Sequence, residues 1–183
     1  SGFVFVNNYQ RLQPMPEKPG VQFALTLPGG GVVTFPDQPV TVPADRAFFW
    51  PFNLDLGGAV LNYATAQPIC KVDDGNLRTV FFVQTPGVPT EFVFQNEGLS
   101  IQAVSGKLSK EQNRTRITNV ATGLGAAIRI INKAGQVFQI VLLDEAAEQA
   151  VPDDQDAAVV AVHVAVVHGM VRAVVAGAAE PAV

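Results

Sequence analysis

Residues 1–150 contain no histidine, and the whole 183-residue chain has one cysteine, Cys70. The first absence removes the side chain most often used as a general base near neutral pH. The second excludes an intrachain disulfide, and a reduced, buried thiol is the expected state of Cys70. Residues 1–150 also have no glycine-rich phosphate loop and no run of metal-ligand spacing, so neither cofactor nor metal is expected. Basic charge is sparse: 12 Lys and Arg stand against 16 Asp and Glu, a net charge of −4. The balance is −1 over residues 1–150 and −3 over residues 151–183. Neither part carries the basic footprint of a nucleic-acid binder. A secretory leader is not expected at the start, because Ser1–Val6 lacks a basic stretch and runs directly into Asn7 and Asn8.

What is present is β pattern. Hydrophobic residues make up 48% of the chain and charged residues 15%, a globular composition long enough for one sizeable core. Val21, Phe23, Leu25 and Leu27 alternate with Gln22, Ala24 and Thr26, and Pro28-Gly29-Gly30-Gly31 then predicts a turn. Val32–Phe35 and Val40–Val42 read as brief strands whose prolines mark edges or ends. Further strands are expected at Ala47–Trp50, Ala59–Ala66, Leu77–Gln84, Glu91–Phe94, Leu99–Val104, Arg116–Val120, Ala127–Ile131 and Gln136–Leu143. The continuous Val80-Phe81-Phe82-Val83 run predicts a strand covered on both faces. Asp73–Asn76 and Asn132–Gly135 are hairpin turns in this reading. Asp144 is placed to cap a short helix over residues 144–150. The expected fold is all-β, an antiparallel sandwich or barrel-like domain over residues 1–150.

Residues 151–183 differ in kind. Ala and Val fill 20 of their 33 positions, while all 12 Phe, both Tyr and the single Trp lie earlier. Such text packs poorly, because Ala and Val offer little volume to interlock. A membrane span is disfavoured: the charge-free stretch Ala157–Val171 is only 15 residues long. An additional strand or helix is one reading, disorder another. The favoured reading is a shifted frame in a GC-rich gene. His163 and His168 are five apart, a spacing that puts them on opposite sides of a strand, so no shared metal site is expected.

A series of segments then carries a resemblance. Gly2-Phe3-Val4-Phe5-Val6-Asn7-Asn8-Tyr9-Gln10-Arg11, Gly20-Val21-Gln22-Phe23 with Leu27-Pro28, and Trp50-Pro51-Phe52-Asn53-Leu54-Asp55-Leu56-Gly57-Gly58 appear in that order. Leu61–Pro68, Val80-Phe81-Phe82 and Gly87–Phe94 follow. Together they resemble the β domain that follows the catalytic barrel in bacterial glycoside hydrolase family 35, the β-galactosidase family. The fit covers roughly the first 95 residues and continues more loosely to about residue 148. The resemblance implies a secreted or periplasmic parent that hydrolyses terminal β-galactosides with retention. Two barrel glutamates about 5–5.5 Å apart would do that chemistry. Both belong upstream of the matched segment, so no catalytic residue carries over to this chain. The implied partners are the barrel and further β domains. The chain departs from the family pattern near Gln149.

Individual residues follow from this. Glu91 is the carboxylate most tempting as a catalyst, yet alternation sets it opposite Phe92 and Phe94, and a solvated or domain-interface role is expected. Phe49, Trp50 and Phe52, with Phe48, suit either a sugar-stacking platform for galactosides or an aromatic plug, the latter being the stronger reading. Asn8 and Tyr9 are placed as interface contacts. The two competing functions are therefore a non-catalytic supporting domain and a carbohydrate-binding module centred on Trp50.

Overall fold

The computed structural model describes residues 1–26 and 31–145, with the backbone of 162–167 and 170–175. The described chain is all-β. The strands are β1 (Gly2–Asn8), β2 (Lys18–Thr26), β3 (Val32–Val42), β4 (Arg46–Asp55), β5 (Val60–Ala64), β6 (Ala66–Asp74), β7 (Leu77–Gln84), β8 (Glu91–Gln95), β9 (Leu99–Ala103), β10 (Lys107–Lys110), β11 (Arg114–Thr118), β12 (Ile128–Asn132), β13 (Val137–Leu143), β14 (Val162–Val167) and β15 (Met170–Val175).

A six-stranded sheet runs β1-β4-β5-β8-β11-β10 and a five-stranded sheet runs β6-β7-β13-β12-β9. Their facing sides enclose the larger core, with Phe82, Phe92, Phe94, Ile117, Ile130, Phe138 and Ile140 fully buried. Phe82 meets Phe92 edge to face across it at 5.1 Å. No closed barrel forms: the sheets are separate and the architecture is a sandwich. Pairing is antiparallel except between β13 and β7, which run parallel with Val80 opposite Ile140. Strand β7 lies between β6 and β13, and in its apolar run Val80 and Phe82 face the sandwich core, Val83 is buried outside that core and Phe81 is half-buried.

The six-stranded sheet is also covered on its other side. The β2–β3 hairpin lies there over a second core of Phe35, Val40, Val42, Phe48, Trp50, Tyr63, Val88 and Val93. One strand can serve both cores because alternation sends Val93 one way and Phe92 and Phe94 the other. In β4 and β5 a local break does the same. Phe52 pairs with Tyr63 and Leu54 with Leu61, two positions apart on each strand. Simple alternation would put all four on one face. Instead Asn53 takes a left-handed φ of 46°, and β5 bulges between Leu61 and Tyr63 against β8. Phe52 and Tyr63 therefore join the hairpin core, whereas Leu54 and Leu61 join the sandwich core.

Several expectations are refined by these strands. Gly2–Asn8 forms β1, which the alternation of Phe3, Val4, Phe5 and Val6 supports. Ala59–Ala66 is part of two strands, since the chain turns the corner from β5 to β6 at Thr65. Lys107–Lys110 is a strand despite its charges. Val32–Phe35 and Val40–Val42 are one strand, β3, in which Pro36–Pro39 bulges outward. Phe35 pairs with Phe23 and Val40 with Val21, so five steps on β3 face two on β2. The turns at Gly75-Asn76 and at Lys133–Gly135 lie where the sequence placed them. Asp144 and Glu145 are not helical; the rest of the predicted helix and most of the Pro28–Gly31 turn lie outside the described residues. Of the Ala/Val-rich tail, β14 and β15 pair antiparallel, and the remainder lies outside the described residues.

Tight turns set the register of the late strands. Gly106 has a φ of 89°, and a Cβ there would sit 2.5 Å from the Thr118 carbonyl oxygen. Gly106→Ala is therefore expected to cost more than about 1 kcal/mol, because neither the backbone conformation nor the space admits a side chain. Phe92→Ala, which empties the sandwich core, is expected to cost about 3–5 kcal/mol. Urea denaturation of the two variants checks both values.

Candidate functional site

The outward bulge of β3 decides where the polar chemistry gathers. It carries Asp37 away from its own hairpin and onto the β8–β11 face of the six-stranded sheet. There, alternation in β11 buries Thr115 and Ile117 while turning Arg114 and Arg116 to the hairpin side. At the start of β8, Glu91 points the same way. Its Oε1 accepts hydrogen bonds from the Tyr63 hydroxyl at 2.8 Å and from the Asp37 backbone N–H at 3.1 Å. Its Oε2 accepts from Arg116 Nε at 2.7 Å. Asp37 in turn accepts from Arg114 at 3.0 Å and lies 3.5 Å from Arg116 Nε. The Glu91 N–H donates to Thr65 Oγ1 at 2.8 Å.

Glu91 is only 5% exposed. The expectation of a solvated glutamate is corrected here: the bulged hairpin closes over it, and ion pairing offsets the cost of burying its charge. Burial, and then the neighbouring Glu91 and Asp37 carboxylates, push the Tyr63 phenol far above its ordinary pKa. Tyr63 thus stays a hydrogen-bond donor at any ordinary pH. Burial works against the Arg116 charge, but the Glu91 hydrogen bond and the Glu91 and Asp37 charges outweigh it and raise its pKa. The Arg114 pKa is raised too, first by its hydrogen bond to Glu111. These are the terms of a closed polar clasp, with both Glu91 oxygens occupied and both arginines opposed by carboxylates.

The aromatic residues divide between two faces. Trp50 is fully buried, packs on Phe48 at 4.8 Å and Phe23 at 6.0 Å, and donates Nε1–H to Thr85 Oγ1 at 3.0 Å. Phe52 stacks on Phe35 at 6.0 Å beneath the hairpin. Asn8 is buried, donating to the carbonyls of Pro16 at 2.9 Å and Pro43 at 2.8 Å. Around Trp50, then, there is a plug and no open platform. Phe49 faces the other way, with Phe3 at 5.6 Å and Phe5 at 5.7 Å. Phe3, Phe5 and Tyr9 are exposed. The structure brings Phe49 together with Phe3 and Phe5 and separates it from Trp50 and Phe52.

Elsewhere, a shallow groove of about 230 Å³ runs past Gly58, Val60, Gln95, Glu97, Leu99 and Lys133. Among the described residues no three His, Cys, Asp or Glu side chains converge as a metal site. Burial raises the pKa of the half-buried Cys70 thiol, which makes it a weak nucleophile. Asp73 pairs with Arg78 at the base of its hairpin turn.

Sequence reasoning singled out Glu91 but not Asp37, Tyr63, Arg114 or Arg116. A signal for the arginines was present: Arg-Thr-Arg-Ile on a strand puts two cations on one face opposite two buried side chains. Nothing local revealed that Asp37, 54 residues from Glu91, would meet them. Compared with known proteins, the chain matches no family model, and no curated protein matches it.

Because the clasp is interlocked, Glu91→Leu or Arg116→Met alone is expected to cost roughly 2–4 kcal/mol. That is below the range for a fully buried pair, since 27% of the Arg116 side chain remains in water. The double variant should cost less than the sum, by about 0.5–3 kcal/mol, in chemical denaturation. Trp50 emission is expected to be blue-shifted and insensitive to iodide in the native protein, with both properties lost on unfolding.

Proposed function

We propose that this chain is a non-catalytic β domain of a β-galactosidase-like glycoside hydrolase. It packs against and supports a (β/α)₈ barrel that acts on terminal β-galactosides in a periplasmic or secreted enzyme. The observation that carries the reading is the state of the two carboxylates that converge in this fold. A retaining glycosidase needs one carboxylate free to attack the sugar and another free to protonate the leaving group. Asp37 and Glu91 are instead opposed by Arg114 and Arg116, and Glu91 is shut beneath a hairpin. That arrangement fastens the hairpin to the sheet, and among the described residues it leaves no carboxylate pair addressing a substrate. The order of the family-like segments from Gly2 to Phe94 supplies the rest of the support. Most of them fall on strands that build the two cores.

The purified chain is expected to leave p-nitrophenyl β-galactoside unhydrolysed. Turnover that co-purifies with the folded chain and disappears on unfolding would overturn the reading. The DNA upstream of the Ser1 codon is expected to encode a barrel with two paired glutamates, and an unrelated sequence there would count against it. Isothermal titration with galactose or lactose should give no binding heat. A saturable signal abolished by Phe49→Ala would favour carbohydrate binding instead.

A further inference from the structure

We propose that β1 is a self-association edge, through which two copies of this chain join their six-stranded sheets antiparallel about a two-fold axis at Val4. This goes beyond the supporting role and stands independently of it. The first observation is the contrast between sheet edges. An edge strand exposes unpaired backbone donors and acceptors, and proteins guard such edges with charge or proline. Strand β10, the other edge of the same sheet, carries Lys107 and Lys110. Strand β6 carries Pro68, Lys71, Asp73 and Asp74. Strand β9 is neutral, but β10 lies against it. Strand β1, Gly-Phe-Val-Phe-Val-Asn-Asn, has neither charge nor proline over seven residues.

The second observation is what flanks that edge. On one side Phe5 is 76% exposed and Phe3 45%, and with Phe49 they form a contiguous ring cluster. On the other side Val4 and Val6 are only partly covered by the hairpin core. Both layers therefore stop short at β1, and an added strand would extend each of them.

The third is the strand's symmetry, which identifies the occupant. A two-fold axis sets residue i of one copy against residue j of the other and j against i, so a strand bearing charge of one sign would bring like charges together. Strand β1 has none, and Phe3-Val4-Phe5 reads the same from either end. Centring the axis on Val4 sets Phe3 of one copy against Phe5 of the other, gathers four rings on one face and pairs Gly2 with Val6. No Cβ-sized obstruction surrounds Gly2. A contact of this size is small among specific interfaces, so the dimer is a weak one.

Sedimentation equilibrium of the full 183-residue chain reads this out. The mass is expected to rise from that of the 19.4 kDa monomer toward twice that value over roughly 1–200 µM. Phe5→Lys places a cation in each half of the contact and is expected to weaken association at least about tenfold. At concentrations where both proteins are monomeric its melting temperature should fall only slightly, because Phe5 is 76% exposed and gives up only its ring contacts with Phe3 and Phe49. Leu124→Lys, at a site 87% exposed elsewhere on the surface, should leave association as it was. A monomeric mass across the whole range would overturn the proposal, as would a dimer that Phe5→Lys leaves intact.

Discussion

The paired break at Asn53 and the β5 bulge is the constraint on which the rest of this structure depends. A regular six-stranded sheet offers each strand one inner face. By reversing the facing of two adjacent strands halfway along, the chain gives Phe52 and Tyr63 to the hairpin core and Leu54 and Leu61 to the sandwich core. One sheet then lies between two apolar layers. Tyr63 arrives on the hairpin side only because of this reversal, and its hydroxyl is one of the donors that make Glu91 tolerable as a buried group.

Packing and polar chemistry meet at the same place. The hairpin covers Trp50 and Phe52 through the apolar contacts of Phe23 and Phe35, which are strong but have little directional preference. The clasp of Asp37, Glu91, Arg114 and Arg116 adds direction: the hydrogen bonds from the Asp37 N–H to Glu91 and from Arg114 to Asp37 form only when the β3 bulge sits over the β8–β11 pair. The apolar contacts supply most of the stability, and the ion pairs select one docking position for the hairpin.

Much of the sandwich was legible from local pattern. Leu77–Gln84 coincides with β7, and the turns at Gly75-Asn76 and Lys133–Gly135 follow from residues that favour left-handed or Asx conformations. Strand β10 was not legible, because Lys107 and Lys110 mask a strand held in place by β11 rather than by burial. The two short segments flanking Pro36–Pro39 were legible, but their union as one bulged strand was not, since it depends on the register of β2. The candidate site was least legible. Its members come from β3, β5, β8 and β11, and only the closed fold sets Asp37 beside Glu91. Trp50 was rightly placed among aromatics, yet its separation from Phe49 is a matter of sheet faces that one-dimensional proximity conceals.

Strand β13 is the final strand of the two main sheets in chain order, yet it lies at the centre of its sheet, between β7 and β12. Its parallel contact with β7 spans 60 residues, from Val80 to Ile140. The five-stranded layer therefore has no middle until Leu143 has been made. During synthesis the β6–β7 hairpin must wait with one flank open, and the sandwich closes only after β13 has been made, which makes assembly slow and non-local.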